Sequence, residues 1–260
     1  MQGANPLQTA LTDGTVIYGA DARTFSTATI ELFGSIGYDY VWLDYEHAGP
    51  SPFDTSTVET HARAAAAADT EPVVRIPKRD PKAMGAVLDA GVRTVVVPQI
   101  ETAETVDRMV RAARFPTGDA AGARGVGPSR SNEWATALDG YVDRENAEAM
   151  VGAMIETEAA VNNIEAIVDV PALGFLFIGP SDLSLSMTGA IDTEAPVVID
   201  AIETVLDVAA AAGVPVGRSF PSVAGARAAA EAERGYQMIS LGRDLSAVHE
   251  TFADRLDGVR

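Results

Sequence analysis

The sequence predicts an α/β protein that folds as a single (β/α)8 barrel, a TIM barrel, over residues 1–260. A chain of 260 residues with 47% hydrophobic residues can bury one large core and has close to the usual size for this fold. Short β-branched or apolar segments alternate with longer helical patterns, which is typical of a parallel sheet covered by helices. Eight such segments occur. Eight strand–helix units favour a closed barrel, and the alternative is an open α/β sheet with an additional strand.

The predicted strands follow one another along the whole chain. They cover residues 15–19, 38–43, 72–76, 94–98, 150–155, 173–178, 215–219 and 237–241. Between them lie helix signals, such as Asp80 followed by Pro81 at a helix N-terminus. Glycines suited to a left-handed conformation are expected to end helices at Gly37, Gly91 and Gly213. Residues 115–140 form the one long irregular stretch, which predicts a lid, a binding loop or a subunit contact.

Composition and charge exclude several classes of protein. The 37 acidic and 19 basic residues give a net charge of −18, which argues against binding nucleic acid or an anionic membrane. Because the chain has no cysteine, it has no disulfides, thiolate zinc sites or cysteine nucleophiles. Residues 1–15 carry no basic signal segment, and no apolar run approaches the roughly 18 to 20 residues that cross a bilayer. We therefore expect a cytoplasmic protein.

Lysine is scarce among the basic residues. Only Lys78 and Lys82 are lysines. An acid-rich, lysine-poor and alanine-rich composition keeps a protein surface hydrated under conditions in which salt screens the mutual repulsion of the carboxylates. The composition therefore leads to the hypothesis that the protein is halophilic.

Acidic residues follow two neighbouring predicted strands, at the barrel end where TIM barrels carry their chemistry. Glu156 follows strand 5 and Asp182 follows strand 6. Acids from different strands would repel one another there unless a cation lay between them, so this pair is the candidate metal site. Oxygen ligands completed by water and substrate suit Mg²⁺ or Mn²⁺, and Co²⁺, Ni²⁺ or Zn²⁺ could also bind. The alternative is that each acid caps the helix after it, as Asp182 could.

One of the three histidines lies at a strand end. His47 follows strand 2 and titrates near neutral pH, which suits a general base. Asp44, three positions earlier, is its candidate orienting partner, while Glu46 could instead reach toward water molecules on the metal. His61 and His249 lie in helical patterns and are expected at the surface.

Two further strand ends carry candidate substrate-binding groups. Arg75 ends a strand that is otherwise apolar, so its cation is expected at the barrel mouth. It could hold the oxygen of a 2-oxo acid and stabilise an enolate, or simply form an ion pair with an acid at the rim. Gly179, Pro180 and Ser181 lead into a helix N-terminus, where backbone N–H groups suit a substrate carboxylate.

With these residues in place, the sequence resembles the HpcH/HpaI aldolases, which are class II, metal-dependent pyruvate aldolases on a (β/α)8 barrel. The resemblance extends from about Gly19 to Leu245. It is strongest in five blocks, WLDYEHA at 42–48, PVVR at 72–75, RGVG at 124–127, IET at 155–157 and FIGPSDL at 177–183. Five blocks in the same order make a chance similarity very improbable.

The resemblance implies a role for each candidate residue. Glu156 and Asp182 would bind the metal, and Arg75 would hold the enolate. His47 and Asp44 would form an acid–base dyad that works through a metal-bound water. The family reversibly cleaves 4-hydroxy-2-oxo acids, such as 2-keto-3-deoxy sugar acids or 4-hydroxy-2-oxo-dicarboxylates, to pyruvate and an aldehyde by way of a metal-bound pyruvate enolate. Its members are typically hexamers, trimers of dimers, often with the last helix exchanged between barrels.

Three regions of the sequence depart from the family pattern. Met154 stands where the family often has glutamine, so one polar contact near the metal is expected to be missing. Residues 128–134 and 218–220 also differ from the better-known members. Both stretches are expected to face the aldehyde half of the substrate.

Three other functions stay open at this point. A Schiff-base aldolase would need a lysine inside the barrel, and Lys78 and Lys82 both follow strand 3 in a polar segment. A lyase that acts on CoA thioesters, as the citrate lyase β subunit does, would need a basic surface for the nucleotide arm. A non-catalytic barrel that binds a 2-oxo acid would have no need of His47.

Overall fold

Eight parallel strands close on one another in the order of the sequence, because β8 pairs with β1 as well as with β7. The structure is a computed structural model and describes residues 4–118, 121–220 and 225–259. The strands are β1 (Ile17–Asp21), β2 (Tyr40–Asp44), β3 (Glu71–Arg75), β4 (Thr94–Val97), β5 (Met150–Ile155), β6 (Phe175–Ile178), β7 (Val216–Ser219) and β8 (Tyr236–Arg243). The predicted TIM barrel is confirmed, and the alternative of an open sheet is wrong.

Helices separate the strands around the barrel. They are α1 (Pro6–Thr12), α2 (Thr27–Ile36), α3 (Thr55–Ala67), α4 (Pro81–Asp89), α5 (Ala103–Ala112), α6 (Tyr141–Glu148), α7 (Glu158–Asn162), α8 (Ile164–Val168), α9 (Pro180–Thr188), α10 (Pro196–Ala212), α11 (Gly225–Glu233) and α12 (Asp244–Asp257). The predicted caps are confirmed: the Asp80 carboxylate accepts the Lys82 N–H at the start of α4, and left-handed glycines end α2 and α10. Every helix in the described ranges is too short or too polar to span a bilayer.

Two of the predicted strands end two residues too early. Strand 1 was expected to end at residue 19, but β1 continues to Asp21, and β8 continues to Arg243 rather than 241. The apolar pattern stops before these polar residues because they lie at the mouth of the barrel, where the strand continues but the core does not. Asp21 and Arg243 are therefore mouth residues, and they are paired in register across β1 and β8.

The interior of the barrel is filled by large side chains that lie against glycines on neighbouring strands. A Cβ at Gly19 would lie 2.3 Å from the Tyr40 ring, and one at Gly152 would lie 2.3 Å from the Phe175 ring. Either residue would therefore clash if it carried a side chain. Leu7 and Leu11 of α1 join this interior cluster, and Asn5 donates to Thr94 at the start of β4. The N-terminal helix thus closes the end of the barrel opposite the mouth.

The described parts of the long stretch, residues 115–118 and 121–140, lie away from the mouth. They follow the C-terminus of α5, and the helices run opposite to the strands. Arg124 is buried within it and pairs with Asp89 at 2.9 Å and with Glu145 at 3.1 Å. Arg130 donates to the carbonyl of Ala90, at the C-terminus of α4. The hypothesis that this stretch is a lid over the chain's own mouth is therefore wrong, and so is the expectation that residues 128–134 face the aldehyde within one chain. A subunit contact stays a prediction.

Candidate active site

A cavity of about 600 Å³ opens at the carboxyl ends of the strands. Most of the residues predicted for the site line it, namely Asp44, His47, Arg75, Gly179, Pro180, Ser181 and Asp182. Glu156 is buried, with 4% of its surface exposed, and lies behind the lining residues near Gly179. The barrel therefore brings together the side chains that the strand ends predicted.

A two-bond ion pair between Arg75 and Asp44 lies at the floor of the cavity. The Arg75 Nε donates to Asp44 Oδ1 at 2.8 Å, and its Nη2 donates to Oδ2 at 2.5 Å. Arg75 Nη1 lies 3.2 Å from Glu46 Oε2 and 3.6 Å from Met154 Sδ. The thioether is a weak acceptor, so residue 154 adds little polar contact here. The Asp44 carboxylate on neighbouring β2 thus holds one edge of the guanidinium through two parallel hydrogen bonds, which match the planar geometry of that group.

Arg23 binds the same carboxylate from the other side, with its Nη1 2.5 Å from Asp44 Oδ2. Burial alone would raise the pKa of Asp44, but the two guanidinium groups outweigh burial and lower the pKa to about 2. Asp44 is therefore ionised at any pH at which the protein works. Its charge stabilises the fold as well as the site.

We expect Asp44→Asn to lower the free energy of unfolding by about 2 to 4 kcal/mol near neutral pH, because two guanidinium groups lose their charged partner. The folded-state pKa of about 2 lies below the ordinary value of 3.8. The contribution of the carboxylate is therefore complete above about pH 4 and is lost as the pH falls toward about 2. Urea unfolding at several pH values should show the difference between wild type and variant closing over that range. Asp107→Asn, in an exposed pair with Arg111, is the matched control and should change little. A difference that stays constant down to pH 2 would contradict this account of Asp44.

The predicted contact between Asp44 and the imidazole of His47 is not the one the structure forms. Asp44 Oδ1 instead accepts the backbone N–H groups of Glu46 at 3.1 Å and of His47 at 3.4 Å. The ring Nε2 of His47 lies 3.5 Å from Glu46 Oε2. The Asp44 carboxylate does not bond to the ring because Arg23 and Arg75 hold it against the strands. Asp44 thus fixes the turn that carries His47, and Glu46 is the carboxylate beside the ring.

Glu156 is a buried carboxylate, and no guanidinium among the described residues is bonded to it. Its Oε1 accepts the backbone N–H of Gln99 at 2.5 Å. Gln99 adopts a φ of 54°, a left-handed conformation that is unusual for a residue with a side chain. The pKa of Glu156 is raised to about 7, mainly by burial and with smaller contributions from the charges of Asp182 and Glu46, against the lowering effects of the Gln99 N–H and of Arg75. An excess of negative charge therefore collects around this carboxylate.

Asp182 lies in the first turn of α9, and its side chain is exposed at the cavity. The cap residue of α9 is Gly179, without a side-chain cap bond, so the alternative that Asp182 caps this helix is wrong. One correction concerns the predicted N–H donors. The Gly179 N–H already donates to the Ile155 carbonyl, and Pro180 has no N–H. Ser181 and Asp182 are then the residues of the first turn whose N–H groups could face a substrate carboxylate.

The donor set at this end of the cavity fits a divalent metal. Glu156 and Asp182 supply carboxylate oxygens from neighbouring strand ends. A cation between them would offset the cost of burying the Glu156 charge and relieve the smaller effect of its repulsion by Asp182. A Cβ at position 179 would lie 3.0 Å from Glu156 Oε2, so the glycine keeps that oxygen open. Within the described residues no group of three or more His, Asp or Glu side chains surrounds one point. Water and substrate would therefore complete the shell, as is common for Mg²⁺.

Asp21 and Arg23, at the end of β1, belong to the site although the sequence did not predict them. Asp21 is buried and accepts from Ser240 at 2.5 Å and from Arg243 at 3.2 Å, and it lies 3.6 Å from Arg23. Together with Asp44 and Arg75, these residues form a row of alternating charges from β8 to β3. The charged residues Asp21 and Arg23 after an apolar segment were the available signal, and it was missed because predicted strand 1 ends two residues early.

The expectation that His61 lies at the surface is wrong, because its side chain is buried. Its Nδ1 lies 2.8 Å from the hydroxyl of Tyr45, and its Nε2 lies 3.0 Å from the carbonyl of Phe25. Burial lowers the pKa of His61, which favours a neutral ring. Its function is to pack α3 beneath the turn that carries His47. His249, by contrast, is exposed as predicted.

The two lysines do not lie in the cavity. Lys78 and Lys82 are both exposed, and neither is among the residues that line the mouth. A Schiff base with a 2-oxo acid requires a lysine amine beside the bound carbonyl. The geometry therefore gives no support to a Schiff-base aldolase.

A comparison with known protein families identifies the family of this TIM barrel. Residues 22–250 match the family described as HpcH/HpaI aldolase/citrate lyase. The chain belongs to this family. HpcH/HpaI enzymes are metal-dependent class II aldolases, so the chain is an aldolase, a carbon–carbon lyase.

Individual relatives of this HpcH/HpaI chain cover nearly all of it. A hydroxypyruvate/pyruvate aldolase from Chromohalobacter salexigens is 33% identical over 248 residues, which are 95% of this chain and 94% of the relative. A 4-hydroxy-2-oxo-heptane-1,7-dioate aldolase from Escherichia coli is 36% identical over 201 residues, 76% of this chain and 74% of the relative. A solved HpcH/HpaI aldolase/citrate lyase family structure from Burkholderia cenocepacia has a TM-score of 0.91, 35% identity and coverage of 99% and 100%. The relatives thus agree on the family and differ in their substrates.

Proposed function

We propose that this aldolase reversibly cleaves a 4-hydroxy-2-oxo acid to pyruvate and an aldehyde, with a divalent metal held by Glu156 and Asp182. The observation that carries the proposal is the buried carboxylate of Glu156 at the floor of the cavity. It interacts electrostatically with the guanidinium of Arg75. Relatives named as aldolases of pyruvate and of a 4-hydroxy-2-oxo dicarboxylate support the reaction class. The substrate is a small molecule. Its aldehyde half is either the aldehyde released from a 2-keto-3-deoxy sugar acid or an aldehyde that carries a carboxylate.

Mg²⁺ or Mn²⁺, when bound by Glu156 and Asp182, supplies a Lewis acid for the 2-oxo group, and Co²⁺, Ni²⁺ or Zn²⁺ could replace it. Arg75 lies on the same side of the cavity and binds the 2-oxo oxygen, where negative charge develops as the C3–C4 bond breaks. The N–H groups of Ser181 and Asp182 at the N-terminus of α9 hold the 1-carboxylate. The substrate is thereby fixed at its oxo-acid end.

His47 carries the proton transfers in this scheme. In cleavage it accepts the proton of the 4-hydroxyl through a water molecule, the C3–C4 bond breaks, and the electron pair moves onto the 2-oxo oxygen. Arg75 stabilises the resulting enolate, and return of a proton to C3 gives pyruvate. The Glu46 carboxylate lies beside the ring, 3.5 Å from its Nε2. Asp44 acts through the backbone and through Arg75 rather than on the ring.

We expect His47→Ala to lower kcat for pyruvate release by about 100- to 10,000-fold, the usual contribution of a general base. The imidazole is 65% exposed, so the fold and metal affinity should be unchanged. Stopped assays of pyruvate, together with calorimetric titration of Mn²⁺, separate the two effects. His249→Ala, on the exposed face of α12, is the control. Loss of metal binding in the His47 variant would mean that the ring is a ligand and not a base.

The test of the proposal is pyruvate release from a panel of 2-keto-3-deoxy sugar acids and 4-hydroxy-2-oxo dicarboxylates, with and without added Mg²⁺ or Mn²⁺. We expect release from at least one substrate and only with metal. If the protein binds these acids without cleaving any of them in the presence of metal, it is a binding protein and the proposal is wrong.

We also propose that the chain assembles as a hexamer, a trimer of dimers. Support comes from α12, which has no buried residue in one chain and exposes an apolar row of Leu245, Val248, Phe252 and Leu256. Sedimentation that gives a monomer at micromolar concentration would contradict it.

The halophile hypothesis rests on the net charge of −18, and equal stability in low and in molar salt would contradict that hypothesis.

A further inference from the structure

Arginines are concentrated around the cavity of a chain that is otherwise strongly acidic. The sequence contains 17 arginines and a net charge of −18. Five of these arginines line the cavity, namely Arg23, Arg75, Arg218, Arg227 and Arg243. The same cavity is lined by the acids Asp21, Asp44, Asp182 and Glu194, so an anionic ligand would be attracted by an arginine that these acids leave unpaired.

Three of the five arginines already have carboxylate partners within the site. Arg75 and Arg23 share Asp44, and Arg243 is bound to Asp21. Arg227 is exposed on α11 and has only a loose contact of 3.8 Å with Glu231. Arg218, at the end of β7, has no carboxylate within ion-pair distance among the residues that the structure describes. It is therefore the cation whose charge the protein leaves available.

The surroundings of Arg218 favour an oxyanion as its missing partner. Its guanidinium carbon lies 4.9 Å from the centre of the Phe220 ring, which holds the group in place. Its Nη1 makes only a long contact of 3.5 Å with the hydroxyl of Tyr236. Its Nε and the Oγ of neighbouring Ser219 are both buried without a hydrogen-bond partner. These two groups belong to successive residues of β7 and lie on opposite faces of the strand. A buried N–H donor without an acceptor is unfavourable, so a ligand oxygen beside the guanidinium would satisfy the Arg218 N–H.

The position of Arg218 assigns it to the half of the substrate that is not pyruvate. Arg218 pairs in register with Ile178, and Gly179, Asp182 and the first turn of α9 follow directly. The oxo-acid end is held by groups on β2, β3, β5 and β6, whereas the cavity extends past β7 to Phe220 and Arg227. A substrate anchored at Arg75 would therefore direct its far end toward Arg218.

We propose that Arg218 binds an anionic group on the aldehyde half of the substrate, a carboxylate or a phosphate. The inference rests on the proposed aldolase function and adds the substrate class. It implies that an aldehyde with an oxyanion reacts better than a neutral aldehyde of the same length. Arg218 is then a specificity-determining residue and takes no part in bond cleavage.

The test is the addition of pyruvate to matched pairs of aldehydes by the metal-loaded enzyme. Succinic semialdehyde is compared with butanal, and D-glyceraldehyde 3-phosphate with D-glyceraldehyde. We expect kcat/KM to favour the anionic member of at least one pair by about 10- to 100-fold, the usual effect of a charge-assisted hydrogen bond. The pair that shows the preference identifies carboxylate or phosphate as the natural group.

Variants at position 218 assign the preference to the side chain. Arg218→Gln should abolish the preference and leave the rate with the neutral aldehydes unchanged, which also reports an intact fold. Arg218→Lys should retain part of the preference because it keeps the charge. Arg111→Gln, an exposed arginine on α5 paired with Asp107, is the matched control and should behave as wild type. Equal losses with anionic and neutral aldehydes, or a wild type without any preference, would overturn the proposal.

A separate measurement distinguishes failure of this inference from failure of the proposed function. Exchange of the pyruvate methyl protons with deuterium needs no aldehyde and reports enolate formation alone. Exchange without any anionic preference would overturn only the assignment of Arg218. Absence of exchange in the metal-loaded enzyme would overturn the proposed function and the inference with it. A raised KM for pyruvate in the exchange reaction of Arg218→Gln would mean that Arg218 binds the pyruvate carboxylate instead, and would also overturn the assignment.

Discussion

Replacing Glu156 by glutamine should lower metal-dependent pyruvate release by more than about 100-fold, because even residues that only orient a metal ligand contribute 10- to 100-fold. Glutamine has the same shape and can still accept the Gln99 N–H, but it has no charge to hold a divalent cation. The fold should therefore persist while the metal is lost. Pyruvate assays across a range of Mg²⁺ or Mn²⁺ concentrations measure the effect.

Thermal melts of the same variant separate lost metal binding from damage to the protein. Metal that binds the folded state raises the melting temperature of the wild type, and this rise should be absent in Glu156→Gln. Glu165→Gln, on an exposed position of α8, is the matched control and should keep both the rise and the activity. A Glu156 variant that keeps wild-type activity at limiting metal would contradict the assignment of this ligand.

Replacing Arg75 by lysine should lower kcat/KM for cleavage by about 100- to 1,000-fold, the usual effect of removing one donor to a developing oxyanion. Lysine keeps the positive charge but cannot form the two parallel bonds to Asp44 that fix the group at 2.8 and 2.5 Å. Its ammonium group would also be drawn toward Asp44 and Glu46 and away from the substrate. Deuterium exchange of pyruvate, which needs only enolate formation, should fall by a similar factor.

Arg93→Lys is the matched control for this prediction. Arg93 is also buried and ion-paired, with Glu71 at 2.9 Å, but it lies at the opposite end of the barrel, before β4. The control variant should lose some stability and keep its activity. If both variants lose activity to the same extent, the effect of Arg75 is structural and the proposed enolate role is wrong.

The sequence predicted the barrel and most of the site for the same physical reason. In parallel strands the apolar run ends where the core ends, so the first polar residues after each run, such as Asp44, Arg75 and Glu156, are those that face the mouth. The rule failed at β1, where the strand continues two residues beyond the apolar run and carries Asp21 to the mouth. A pattern of hydrophobic residues reports burial and not the hydrogen bonds that define a strand end.

Contacts between side chains from distant segments could not be predicted. His61 has the spacing of a helix residue, and nothing in the sequence indicates that Tyr45 and Phe25 supply its partners in the interior. Asp44 stands three residues from His47, which suggested a direct pair, but Arg23 and Arg75 compete for the carboxylate from two other strands. The partner of a charged group is chosen by the three-dimensional arrangement of all the charges around it.

The most direct test of the account is the exchange of pyruvate methyl protons in deuterium oxide, followed by NMR, with enzyme stripped by EDTA and then reloaded with Mg²⁺ or Mn²⁺. We expect exchange only in the reloaded enzyme, and none in Glu156→Gln under either condition. Exchange at the full rate after exhaustive EDTA treatment would contradict a metal-dependent enolate at Glu156 and Asp182.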